Sequence, residues 1–429
     1  MLHRRLEDLE RKGRRIRVGM VGAGQMGEGL AVMLEKIPGM EPSVVVDSAP
    51  GRAREALVSA GAPPSQVVET DDADRAIAAL SDGRRVAGSD PSLAWCSPVD
   101  ISVEATGIPE VGARVARGAI EAGKHVLQMN VETDATVGYA LYGMAAQAGV
   151  VYTLSGGDEP GAIMGLYDFA AGLGFDVISA GKGKNNPLDR TATPDTVAEL
   201  ARQRHMNPKM LSSFVDGTKT MVEMTSLANG IGFVPDVPGM HGPEVTTQTI
   251  ASTYVPAADG GVLSEGRRVD YGRGIAPGVF VVFTTDHPKL VRDLGYLSMG
   301  LGPYYALYRP YHLANLETPI SIARAVLYGE TTLATPNPPT AETVAFAKRD
   351  LQTGETIDDL GGYCVYGMIY NAKTAESQGL LPVGLAPGAA VVSPIRAGHP
   401  IAYRDVELDE SSEIVSLRRL QDSMTGSRT

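Results

Sequence analysis

Over the first third of the chain, short apolar runs alternate with stretches of helical spacing. Ile16-Arg17-Val18-Gly19-Met20-Val21 predicts a strand, Glu28 to Ile37 a helix, and Val44-Val45-Val46 a second strand. Arg52 to Ala60 then reads as a helix, Val67-Val68 as a short strand and Ala73 to Leu80 as a helix. Asp100 to Ala105 predicts the fourth strand, Pro109 to Ala122 a helix closed by Gly123, and His125 to Met129 a strand. Val137 to Gln147 is a helix and Val150 to Leu154 the last strand of the set. Strands and helices in strict alternation predict a parallel sheet covered on both faces. Ahead of it, Leu2 to Arg11 predicts a short amphipathic helix.

The texture changes after residue 155. Val177 to Ala180, Gly278 to Phe283 and Tyr304 to Tyr308 are candidate strands, with helical stretches near 161–173, 194–204, 207–213 and 318–327. That mixture predicts an α+β region with an antiparallel or mixed sheet. Residues 332–340 form a proline-rich linker, and beyond it short strands and turns predict a small β domain. The expected division is therefore 1–155, 156–331 (its last helix either staying there or returning to the first domain), the linker 332–340, and 341–429. The closing segment, Asp409 to Leu420, predicts a strand or a short helix.

Between the first strand and helix stands Gly22-Ala23-Gly24-Gln25-Met26-Gly27, and Asp47 ends the second strand. This is the order a dinucleotide-binding unit requires. Gly22 permits a tight turn, Gly24 lets backbone approach a diphosphate, and Gly27 lets helix and strand pack closely. The diphosphate would lie at a helix N-terminus, where unpaired N–H groups and the helix dipole favour negative charge. Asp47 suits a ribose 2′-hydroxyl and so NAD, whereas Arg52 and Arg54 nearby could accept the 2′-phosphate of NADP.

The 429 residues are 43% hydrophobic and 21% charged, as expected of two or three packed domains. A net charge of -12 argues against nucleic acid as a partner. The absence of a long apolar run argues against a membrane span, and the mixed-sign N-terminus against a signal or transit peptide. Two distant cysteines, Cys96 and Cys364, fit a reducing cytoplasm, and the scattered histidines predict no structural metal site.

Several polar clusters could carry chemistry. Ala105-Thr106-Gly107 follows a strand at the carboxyl edge of the sheet, where ligands bind in open α/β folds. Asn130 and Glu132 follow the next strand at the same edge; each is either a ligand contact or a helix cap. Asp158 and Glu159, after Gly156-Gly157, likewise serve either a site or a helix N-cap. Gly181-Lys182-Gly183-Lys184-Asn185-Asn186 places two lysines two apart, so on a strand both point to one face. They could bind an anion or polarise a carbonyl. Asp216, Lys219 and Glu223 have the spacing of one helix face, and burial would bring their proton affinities towards neutrality. Arg309 could fork onto a phosphate or carboxylate, with His312 beside it as a candidate base.

These residues together resemble the homoserine-dehydrogenase-like oxidoreductases that carry a C-terminal SAF domain, and among them the DXR-like reductoisomerases. The resemblance rests on Val18 to Gly27, Glu104 to Gly107, Lys124-His125-Val126 with Asn130-Val131-Glu132, Gly157 to Gly161, Gly181 to Asn185, Asp216 to Lys219 and Arg309 to His312. It implies an α/β fold: a Rossmann doubly wound parallel sheet, a central α+β catalytic domain and a small β-clip (SAF-like) domain. It also implies an NAD(P)-dependent oxidoreductase of a homo-oligomeric kind. The substrate would be a small polar hydroxy-ketone, aldehyde or sugar-acid, with or without phosphate. An amino-acid semialdehyde, as in homoserine dehydrogenase, and a non-catalytic nucleotide- or sugar-binding protein are the alternatives. The resemblance favours NADP where Asp47 favours NAD. Reductoisomerases of this type use a divalent metal, which Asp158, Glu159 and Glu223 could hold only if folding gathers them. On this reading Lys182, Lys184 and Arg309 anchor an anionic group, and Lys219 with Asp216 or Glu223 handles the proton.

Overall fold

The computed structural model describes residues 1–426. They form two compact units, one of residues 1–158 and 313–334, the other of residues 159–312 and the described residues from 335 onward.

The first unit is built on seven strands: β1 (Ile16–Val21), β2 (Met40–Val46), β3 (Val67–Glu69), β4 (Arg85–Gly88), β5 (Ile101–Glu104), β6 (His125–Gln128) and β7 (Tyr152–Leu154). All pair in parallel, in the order β3-β4-β2-β1-β5-β6-β7. This is the doubly wound Rossmann arrangement, with the order reversing between β1 and β5. The alternating pattern of the sequence is thus realised, with one strand more than expected. Arg85–Gly88 has only Val86 and Ala87 as apolar signal, so Glu104 ends the fifth strand and not the fourth. The strands are buried on both faces, as parallel strands between helices must be. The N-terminal helix Leu2–Arg11 lays Leu2, Leu6 and Leu9 on this core, and the helix Thr318–Tyr328 adds Ile322, Ala323 and Ala325. Residues 332–334 continue here: Leu154 N donates to Leu333 O at 2.8 Å, along the edge of β7.

The second unit holds a five-stranded mixed sheet of β8 (Asp176–Lys184), β9 (Val234–Pro235), β10 (Arg268–Arg273), β11 (Val279–Thr284) and β12 (Tyr304–Arg309). Its order is β12-β11-β8-β10-β9, antiparallel on one side of β8 and parallel on the other. The helices Glu159–Gly172 and Thr218–Ile231 pack on one face through Ile163, Met221, Met224, Leu227, Val279, Val281 and Phe283. Tyr254, Phe280 and Val282 fill the other face. The residues after 340 join this unit. Antiparallel β13 (Ala341–Ala347) and β14 (Val365–Asn371) lie against the helix Thr218–Ile231, with Thr343 and Thr225 hydroxyls 2.7 Å apart. Asn229 Oδ1 accepts from the backbone of Thr340 and Ala341, so the proline-rich stretch is hydrogen-bonded at both of its ends. A short pair, β15 (Ala390–Val391) with β16 (Val406–Glu407), and the helix Glu413–Thr425 complete the unit. No described helix is long and apolar enough to cross a membrane.

Candidate functional site

In the first unit the glycine turn has the geometry its sequence predicts. Gly22 adopts φ +99°, and a Cβ there would meet Ala105 C at 2.8 Å across the β1–β5 switch point. At Gly27 a Cβ would lie 2.0 Å from Gly22 O, which is why helix and turn can touch only through glycine. Gly24 is different: nothing stands within 4 Å of its would-be Cβ. Gly24 is also the N-cap of the helix Gln25–Lys36, and no side chain caps that terminus. Gln25 and Met26 are exposed in its first turn. The described residues therefore offer backbone N–H groups facing open space, a cradle suited to a diphosphate.

Asp47 locks this turn. Its Oδ2 accepts from Ala23 N and its Oδ1 from Ala49 N, both at 2.8 Å. Arg52 begins the helix Arg52–Ala60 and is exposed, while Arg54 pairs with Glu69 at 3.1 Å. Across the switch point Thr106 donates its backbone N–H to Glu104 Oε1 at 2.7 Å and its hydroxyl to the same oxygen. Ala105 N donates to Val21 O, and Gly107 takes φ +72°. Glu104 is fully buried, and that burial pushes its carboxyl up to about 7 despite the Thr106 bonds. In the sequence Glu104 is the end of a strand and the first residue of the Glu104 to Gly107 motif, with no role of its own. A carboxylate closing an apolar run was the signal that it is exceptional.

Asn130 takes the capping alternative. Its Oδ1 accepts from Thr133 N at 3.2 Å at the start of the helix Val131–Ala148, and its Nδ2 donates to Ile108 O. Glu132 is buried in the first turn of that helix. Asp158 ends the first unit, directly before Glu159.

In the second unit three predicted residues converge. Gly181 to Lys184 lie within β8, not in a loop, so Lys182 and Lys184 share the sheet face covered by the helices Glu159–Gly172 and Thr218–Ile231. Lys182 Nζ donates to Glu159 Oε1 at 2.7 Å and to Glu223 Oε2. The two carboxylates hold its proton more tightly than in a free lysine, overcoming the burial that opposes charge. Glu223 moves the other way: burial, with Glu159 nearby, raises it to about 7 against the pull of Lys182 and Lys219. Its second oxygen, Oε1, is buried with no hydrogen-bond partner among the described residues. His312 Nε2 approaches Glu159 Oε2 at 3.5 Å, and its Nδ1 lies 2.9 Å from Pro277 O. Lys184 Nζ donates to Phe214 O at 2.7 Å, and burial together with the charge of Lys182 lowers it to about 8.

Asp216 departs from the expected helix face. It terminates the helix Pro208–Val215, and Gly217 at φ +92° interrupts the helical run before the helix of Lys219 and Glu223 begins. Its Oδ2 instead lies 2.8 Å from Lys348 Nζ, a residue that carried no sequence signal. Lys219 is buried one turn before Glu223. Asn185 is exposed beyond the end of β8. Arg309 lies with its guanidinium 4.5 Å from the Tyr311 ring centre, a stacked arrangement.

For a divalent ion, Glu159 and Glu223 bring oxygens within 4.8 Å of one another. The Lys182 ammonium bonds one oxygen of each carboxylate, so an ion there would compete with it for the pair.

A family model described as "Oxidoreductase DRL, catalytic domain" matches residues 157–318, the segment that holds Glu159, Lys182, Lys184, Lys219, Glu223 and His312. The class defined by fold and matched segment is thus an α/β oxidoreductase. The match does not extend over residues 341–429. No functionally curated protein matches the chain. Among solved structures it is similar to a probable dehydrogenase from Thermotoga maritima, with 14% identity over 73% of this chain and 90% of that one, and TM-score 0.42. It is also similar to apo scyllo-inositol dehydrogenase from Lactobacillus casei, with 12% identity, 74% and 90% coverage and TM-score 0.39. A third likeness is to UDP-N-acetylglucosamine 3-dehydrogenase from Acidithiobacillus ferrooxidans, with 16% identity, 63% and 66% coverage and TM-score 0.33.

Proposed function

We propose that this chain is an NAD(P)-dependent oxidoreductase that interconverts a hydroxyl and a carbonyl group on a small polar substrate. The substrate class is a sugar, polyol, sugar-acid or hydroxy-ketone, with or without phosphate. The observation that carries this reading is the pairing of Lys182 with Glu159 and Glu223 inside the segment that matches an oxidoreductase catalytic domain. The cofactor assignment is supported by the open space before Gly24, the uncapped helix behind it and the Asp47 lock on the turn. Backbone N–H groups from Gly24 to Gly27 would hold the diphosphate. A bound nicotinamide supplies the hydride acceptor or donor.

The chain's own residues supply charge and protons. Lys182, kept protonated by two carboxylates, presents positive charge where a substrate alkoxide develops. Glu223 Oε1, buried and without a partner, is the proton acceptor when the hydroxyl is oxidised and the donor in reverse. A carboxyl near 7 suits both directions at neutral pH. Lys219, one turn earlier, lends a second positive charge to Glu223. Lys184 below about 8 is an ammonium able to hold an anionic substituent. The test is a screen for coenzyme reduction with NAD and NADP against polyols, sugar acids, their phosphates and homoserine. Turnover of a polyol or sugar acid, lost in Glu223→Gln with coenzyme affinity retained, supports the reading. Oxidation of homoserine alone favours the semialdehyde alternative, and binding of neither coenzyme overturns the enzymatic reading.

A further inference from the structure

One buried side chain from the residues after 340 reaches Asp216, beside the turn whose Phe214 carbonyl holds Lys184. Lys348 follows the last residue of β13 and its side chain is 2% exposed. Burying an ammonium is costly unless its protons are satisfied. Here Nζ donates to Ala192 O at 2.6 Å and Gly362 O at 2.8 Å, has Ser212 Oγ at 3.5 Å, and is ion-paired with Asp216 Oδ2 at 2.8 Å. Asp216 lies at a junction. Its Oδ1 accepts from Thr218 N at 2.8 Å, at the start of the helix that bears Lys219 and Glu223. Two residues before it, Phe214 O is the acceptor that holds Lys184. A second strut comes from β14, where Gly367 N donates to Thr218 Oγ1 at 2.8 Å. Gly361 completes the set: a Cβ there would strike Lys209 O at 2.1 Å, so the helix Pro208–Val215 and the C-terminal segment are in backbone contact.

We propose that Lys348 is a positioning residue, and that the C-terminal segment completes the site in the same chain by holding, through Asp216, the 214–218 turn that fixes Lys184 and starts the helix of Lys219 and Glu223. This rests on the assignment of Lys184 to the site. It makes residues 341–371 part of the oxidoreductase machinery rather than a separate binding module.

The test uses the full chain and needs no substrate. Trace acetylation with acetic anhydride across neutral and alkaline pH, read lysine by lysine by mass spectrometry, gives the titration midpoint of Lys184. The charged groups facing Lys184 are Lys182, Asp216 and Glu223. In Lys348→Met, the buried Asp216 carboxyl loses its cation and takes up a proton, so Lys184 loses a neighbouring anion and its midpoint falls by about half a pH unit or more. Exposed lysines such as Lys289 keep theirs, and Lys348→Arg recovers part of the shift. Should Lys348→Met fail to fold, Lys348→Gln, which keeps two donated protons, takes its place. A folded variant in which Lys184 titrates as in the parent overturns the proposal. Coenzyme titration run alongside reports on the first unit, so a failure of the cofactor reading is seen separately.

Discussion

Replacing Gly24 by valine separates a cofactor cradle from an ordinary tight turn. The backbone there has φ -69° and ψ -170°, values open to any L-residue, and no atom lies within 4 Å of the added Cβ. The folded protein should therefore lose little, within about 1 kcal/mol of the parent. The added branches project into the space a diphosphate would occupy and push it off the helix N-terminus. Loss of those charge-assisted bonds at about 1.5–3 kcal/mol corresponds to roughly a ten- to hundredfold rise in Kd. Isothermal calorimetry with NADH and NADPH measures the affinity, and thermal melting measures the fold. Gly27→Ala is the counterpart, because its Cβ would sit 2.0 Å from Gly22 O and must displace backbone. It should melt lower by several degrees, about 1–3 kcal/mol of overpacking. Coenzyme binding in Gly24→Val indistinguishable from the parent would refute the assignment of this turn.

Three further outcomes follow from the buried charges. Lys182→Met removes the cation that bonds both Glu159 and Glu223, a loss of about 3–5 kcal/mol. Urea denaturation should show a greater loss at pH 8 than at pH 5, because ionising Glu223 beside Glu159 costs more without Lys182; equal losses would sink the ion-pair account. Glu104, raised to about 7 from 4.5, supports the fold at low pH, and that support fades as pH rises through 7. Glu104→Gln keeps the acceptor for Thr106 and should melt higher than the parent at pH 8, by at most about 3 kcal/mol, yet match it near pH 4; a lower melting point at pH 8 would contradict the burial argument. On the substrate found by the screen, kcat/KM should fall below about 7 as Glu223 protonates, and again above about 8 as Lys184 loses its charge. A profile flat across that interval would remove both groups from the reaction.

Much of the first unit was legible because its signals are local. Gly22, Gly24 and Gly27 answer to constraints within one turn and helix, and the apolar runs of β1, β2, β5 and β6 are long enough to stand out. β4 was not, since a four-residue strand that opens with Arg85 directly after Arg84 carries little periodicity. Asn130 shows the limit of a polar residue read alone: cap and ligand contact look the same until the following helix fixes Thr133 N against it. Asp216 shows the limit of spacing. Three and four residues suggest one helix face, but Gly217 in the left-handed region cuts the helix between Asp216 and Lys219.

By itself the sequence determined the alternation that builds a parallel sheet, the glycine turn with its acid, and the two lysines that a strand must place on one face. Each of these is set by steric and periodic rules acting over a few residues. Only the tertiary structure decided that Lys182 bonds Glu159 and Glu223, that Lys184 is left with a carbonyl, and that Lys348 meets Asp216 across 132 positions. Those pairings depend on which faces are brought together and how far water is excluded from them. Burial and charge compensation are properties of the packed interior, and no short window of residues encodes them.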